Sequence, residues 1–75
     1  MSHYELDAKN MLCPMPVIKT QDTVKTLSSG DTLTIISTDP GALNDIPAWA
    51  RINGHEIMDS SEQNGEVLIT IRVQE

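Results

Sequence analysis

The chain has 75 residues, 39% of them hydrophobic and 3% aromatic, and its eleven acids outnumber five bases to give a formal net charge of −6. That length makes one domain, spanning 1–75, close to the size at which a single core is marginal. A lone cysteine excludes an intramolecular disulfide and therefore a secreted disulfide scaffold. The cations Lys9, Lys19, Lys25, Arg51 and Arg72 form no cluster, and Tyr4 and Trp49 are the only aromatics, so direct nucleic-acid binding is disfavoured. An acidic surface of this kind suits solubility or docking onto basic protein patches.

The opening residues, Met1-Ser2-His3-Tyr4-Glu5, have neither a basic n-region nor an apolar h-region, and no run reaches transmembrane length. A reducing cytoplasm is expected, in which a single thiol stays available. The N-terminal residues are expected to be mobile. The first element is a short strand at Tyr4-Glu5-Leu6-Asp7, which alternates apolar and polar positions.

The chain then reaches Leu12-Cys13-Pro14-Met15-Pro16. Two prolines one residue apart would ruin a helix interior but are tolerated in a first turn, whose N–H groups lack intrahelical partners. This reading makes Cys13 the N-cap, Pro14 the first helical residue and Pro16 the third. It leaves the N–H groups of Cys13 and Met15 as the free donors. A sulfur at that end of a helix faces its positive pole, which favours thiolate over thiol. The bland alternative is a small buried hydrophobe, the usual fate of a free cysteine. It leaves the flanking prolines unexplained.

Val17, Ile18, Val24 and Leu27 continue at helical spacing, and Ser28-Ser29-Gly30-Asp31 is expected to end that helix with Gly30 at C′. Thr32 to Thr38 is rich in β-branched residues and reads as a second strand. Strand, helix and strand of these lengths make a right-handed βαβ unit with parallel strands. Asp39-Pro40-Gly41 is a turn. Ala42 to Asn53 forms a second amphipathic helix in which Pro47 must open a new segment or kink the existing one, with Asp45 as its candidate N-cap. Gly54 closes it.

Glu56 to Ser61 and Val67 to Val73 flank Asn64-Gly65, the strongest short-range hairpin signal. The order is therefore β-α-β-α-β-β. The expected fold is α+β, a two-layer α/β sandwich with two helices on one face of a mixed four-stranded sheet. The other sheet face should be polar or partly covered.

Leu6-Asp7, Cys13-Pro14-Met15-Pro16, Asp39-Pro40, Asp45-Ile46-Pro47-Ala48-Trp49 and Gly54-His55-Glu56 occur in that order. Together they resemble the TusA/SirA/YedF family of small sulfur carriers, over nearly the whole chain. The resemblance implies one carrier domain, 1–75, in which Cys13 accepts sulfane sulfur as a persulfide and passes it to a partner. Pro14, Met15 and Pro16 support the motif. The implied partners are a sulfur-donating protein, such as a cysteine desulfurase or rhodanese-like enzyme, and a sulfur-accepting protein. The pathways implied are transfer-RNA thiolation, sulfur delivery for cofactors and dissimilatory sulfur metabolism.

Two departures from the family pattern stand out. Asn10 replaces a frequent glycine, and asparagine is the best non-glycine substitute where the backbone has positive φ. Met15 stands where some members, including those feeding transfer-RNA thiolation, carry an acid. It leaves the site more apolar, since a carboxylate there would disfavour the thiolate.

Met11, Leu12 and Met15 are the candidates for an exposed apolar rim, and Asp45 for the partner surface. His55 reads as a turn or strand-start histidine paired to a local carboxylate, and Trp49 as core. No metal-ligand spacing exists, no cofactor is implied, and a monomer that docks transiently is expected. With no Cys-x-x-Cys partner, a self-contained disulfide oxidoreductase is disfavoured. The alternatives are a regulatory module whose cysteine senses oxidation, and a binding domain in which Cys13 is incidental.

Overall fold

The computed structural model describes residues 2–12 and 14–74. The elements run β1 (His3–Ala8), α1 (Met15–Val24), β2 (Thr32–Ser37), α2 (Ala42–Ile52), β3 (Glu56–Gln63) and β4 (Glu66–Arg72). They form a four-stranded sheet in the order β1-β2-β4-β3. β1 and β2 are parallel, and β4 is antiparallel to both β2 and β3. This is the α+β sandwich expected from the element order. Helix α1 lies against β1 and β2, α2 against β3 and β4, and the helices touch each other.

The interior order of the sheet follows from apolar content. In β2 and β4 every second residue is buried, and Leu33, Ile35, Val67, Ile69 and Ile71 are almost wholly inaccessible. Strand β3 buries almost nothing, so it takes an edge. Ala42, Ile46 and Ala50, one helical stripe of α2, close over the sheet with Ala8. The opposite face is mostly polar, with Ile36 opposite Leu68 as its apolar pair: Thr34 shares a hydrogen bond with Thr70 across the strands at 2.9 Å, and Arg72 donates to Glu56 at 3.0 Å.

Ser2 and His3 are tied down, contrary to the expected mobility of the N-terminal residues. The carboxylate of Asp31 accepts the N–H of Ser2 at 3.0 Å and that of Ser28 at 2.9 Å. These two bonds hold the Asp31 carboxyl below its ordinary pKa. His3 then sits in β1 with its Nδ1 2.6 Å from the Thr32 hydroxyl.

Helix α1 ends at Val24, earlier than its apolar spacing suggests. Lys25 is the C-cap, and Thr26 and Leu27 continue in tighter i→i−3 turns. Threonine explains this, because Thr23 Oγ1 donates to the Lys19 carbonyl and Thr26 Oγ1 to the Thr23 carbonyl, competing with regular backbone geometry. Gly30 does have positive φ (95°), but it is not a helix cap. Its N–H donates to the Val73 carbonyl, and it turns the chain into β2.

Helix α2 is one helix with Pro47 inside it, so no new segment starts there. Pro47 is buried, and its missing N–H removes only the bond to the Leu43 carbonyl. Its C-terminus is a Schellman motif: Gly54 at φ 80° donates to Arg51, and His55 donates to Ala50. The hairpin turn carries Asn64 at φ 55° and Gly65 at φ 80°, as a type I′ turn requires. A register shift between Ile57 and Asp59 extrudes Met58, and β3 runs two residues past its expected end.

Candidate functional site

Both βα loops emerge at the same end of the sheet, because β1 and β2 are parallel. The first loop leads from Ala8 into α1 and carries the Leu12–Pro16 motif. The second, Thr38 to Gly41, leads into α2. Ligands and reactive groups gather at this end of parallel strands, where loops are free to vary over a fixed scaffold.

The first loop begins with Lys9, whose N–H donates to Asp7 Oδ1 at 3.0 Å. Asn10 follows at φ 64°, the left-handed conformation for which asparagine substitutes for glycine. Its N–H donates to Thr38 Oγ1 at 2.9 Å, which joins the two loops. Cys13, the expected nucleophile, lies outside the described residues.

The helix start is displaced by one residue from the sequence reading. Pro14, with φ −95° and ψ 14°, precedes the helix, so Met15 is its first residue and Pro16 its second. The cause is a turn just before it, in which the Met15 N–H donates to the Leu12 carbonyl at 2.8 Å. Met15 is therefore not a free donor. Both prolines still fall where a missing N–H costs nothing.

The two prolines differ in burial. Pro14 is exposed, whereas Pro16 is fully buried and its carbonyl accepts the hydroxyl of the equally buried Thr20 at 2.8 Å. Pro16 thus anchors the start of α1 to the core. No acid lies in the first turn of α1, so none of the helix's own first-turn side chains offsets its positive end.

Leu12 is 78% exposed and Met15 41%, as an apolar rim requires. Met11 does not join them, being half-buried against the core. Ile18 takes its place. At 42% exposure and one helical turn from Met15, it extends the apolar surface along α1. Sequence reasoning assigned Ile18 to the buried face, although an apolar stripe including both Val17 and Ile18 is wider than one sheet contact needs.

Asp45 lies in the first turn of α2 and is not its N-cap, a position held by Gly41. The turn before it is closed by Asp39, whose Oδ1 accepts the Gly41 N–H at 3.0 Å. Asp39 Oδ1 and Asp45 Oδ2 lie 3.4 and 3.6 Å from where a Cβ on Gly41 would sit. Both carboxylates therefore stand at the loop end of the molecule, at the positive pole of α2, where negative charge is favoured.

His55 is remote from this end, at the junction of α2 and β3. Its Nδ1 accepts the backbone N–H of Gln74 at 3.0 Å, and its ring packs on Trp49 with centroids 5.2 Å apart. A backbone amide therefore occupies the position expected for a carboxylate. Burial lowers its pKa. Trp49 is half-buried against the core, as its spacing implied. Among the described residues no three His, Cys, Asp or Glu side chains converge as a metal site, and no helix is long and apolar enough to cross a membrane.

An α+β sandwich with a Cys-Pro-x-Pro segment at the parallel-strand loops defines a small class of proteins. The family model described as sulfurtransferase TusA matches residues 4–73, and the chain belongs to that family. The sulfur carrier protein TusA of Allochromatium vinosum is 40% identical over 68 residues, covering 91% of this chain and 90% of its own length. A putative sulfur carrier protein of Bacillus subtilis, YrkF, is 46% identical over 84% of this chain, which spans only 34% of that longer protein. The solved structure of a SirA-like protein from Desulfitobacterium hafniense superposes with a TM-score of 0.84, covering 96% of this chain and 99% of that one. At 24% identity that likeness speaks for the fold alone.

Proposed function

We propose that this chain is a sulfur carrier that holds sulfane sulfur as a persulfide on Cys13 and relays it between two proteins. In loading, the Cys13 thiolate attacks the outer sulfur of a donor persulfide. A new S–S bond forms on Cys13, the donor's S–S bond breaks, and the donor sulfur leaves as thiolate. In delivery, an acceptor thiolate attacks the outer sulfur on Cys13, and Cys13 leaves as thiolate. Neither step changes the total oxidation level of the sulfurs, and neither needs a base or a metal.

What carries this reading is the setting of α1. Cys13 directly precedes Pro14, and the helix beyond it has a first turn without an acid. A helix start of this kind favours thiolate over thiol, which raises the reactive fraction for loading and makes the sulfur a better leaving group in delivery. Exposed Leu12, Met15 and Ile18 give partners an apolar surface beside the motif. The sequence contains no second cysteine to resolve a disulfide.

The donor is a cysteine desulfurase or rhodanese-like enzyme. The acceptor serves transfer-RNA thiolation, cofactor sulfur delivery or dissimilatory sulfur metabolism. The chain works in the cytoplasm as one carrier domain, 1–75, and docks as a monomer.

Intact-mass measurement tests the proposal after incubation with cysteine desulfurase and cysteine, or with polysulfide. A gain of one or more sulfur atoms that disappears in Cys13→Ser is expected. No uptake from any donor overturns the reading, as does reversible sulfenylation of Cys13 without sulfane sulfur, the signature of a redox sensor.

A further inference from the structure

The geometry points to Thr38 as a positioning residue for the motif: its hydroxyl ties the backbone that leads into Cys13 to the hydrogen-bonded loop at the start of α2. The inference rests on the role proposed above for Cys13. Two hydrogen bonds of the first βα loop are local, from Lys9 to Asp7 and from Met15 to Leu12. The bond from Asn10 to Thr38 Oγ1 is different, because it spans 28 residues and reaches the second βα loop. It also falls just past Ala8 and Ser37, the last pair of the β1–β2 ladder, and so extends that tie into the loops.

Thr38 is itself held on both sides. Ser37 is fully buried, and its hydroxyl accepts the Asp39 N–H at 3.1 Å. Asp39 in turn accepts the N–H groups of Gly41 and Ala42, through its side chain and its carbonyl. The backbone on either side of Thr38 is thus hydrogen-bonded, and from there its exposed hydroxyl reaches the Asn10 amide. Asn10 gives it an N–H while holding φ 64°, a conformation that few residues adopt without compensation. Without that acceptor the Asn10 amide turns to water, and the chain leading to Cys13 samples a wider range.

This matters to a thiolate because stabilisation by a helix terminus fades within one turn. Thr38 does not touch the sulfur chemistry. It acts through Asn10 and the loop.

The test is the rate of Cys13 alkylation by iodoacetamide across pH, in wild type, Thr38→Val and Thr38→Ser. Thr38→Val keeps the shape and removes the acceptor. It is expected to slow alkylation at neutral pH about two- to fivefold, the range that a helix-terminus interaction carries, and to shift the profile to higher pH. Thr38→Ser restores the wild-type profile. Superimposable profiles for wild type and Thr38→Val overturn the assignment, and so does a Thr38→Ser profile that follows Thr38→Val. In the unmodified protein, slow amide exchange at Asn10 is expected, and exchange at the unprotected rate also overturns it. Alkylation needs no sulfur donor, so these results stand apart from any failure of sulfur uptake.

Discussion

Burial lowers the proton affinity of His55, and its surroundings show what protonation breaks. Nδ1 accepts the Gln74 N–H, so a proton there replaces an acceptor with a second donor. The folded state therefore binds fewer protons than the unfolded one once the pH falls below the ordinary histidine value of about 6.5. Stability from this group is complete above that value and declines as pH falls towards the lower folded pKa. Urea midpoints measured between pH 8 and 5 should fall in the wild type and fall less in His55→Asn. Equal slopes in the two proteins would contradict the linkage. That histidine was legible as a strand-start residue, but Gln74 is nineteen positions away and only the hairpin brings it near. Asn10 is the opposite case. Its left-handed backbone agrees with what the family resemblance implied, asparagine being the best substitute for the glycine frequent at that position.

The two helices were legible in unequal degree. For α2 both the apolar stripe and the Gly54 stop were in the sequence, and in the structure Schellman bonds close the helix there. Gly54→Ala meets no atom within 4 Å, so its cost is the left-handed φ alone, about 1 kcal/mol. For a chain of this size the melting temperature should drop by about 4–8 °C, and an unchanged melt would deny the strain. Helix α1 was harder to bound, because its C-terminal turn is decided by threonine hydroxyls that bond to carbonyls rather than by hydrophobic spacing.

The start of α1 was likewise one residue off, since a Leu12–Met15 turn cannot be told from a first helical turn by proline positions. The exposed surface there makes its own prediction. Leu12→Glu should lower desulfurase-dependent loading about tenfold, an effect typical of a central interface residue, and leave loading by polysulfide unchanged. Equal loss in both reactions would move Leu12 from partner docking to the thiol's own environment.

At the scale of the whole molecule, 75 residues leave little stability in reserve, roughly 4–11 kcal/mol. Ile69 is fully buried in a central strand beneath the helices, and Ile69→Ala should cost about 2–5 kcal/mol. Chemical denaturation should show most of the stability gone, and a loss under 1 kcal/mol would mean that the core collapses around the gap.

Sequence alone determined the order of elements, the parallel βαβ unit, the hairpin at Asn64-Gly65 and the single thiol beside two prolines. Each depends on local periodicity, turn chemistry or residue type. Tertiary structure decided that β4 lies inside the sheet and β3 at its edge, that Pro16 is buried while Ile18 is exposed, and that Thr38 meets Asn10. Those outcomes depend on which surfaces pair across long separations, and burial selects among pairings that local pattern leaves equivalent.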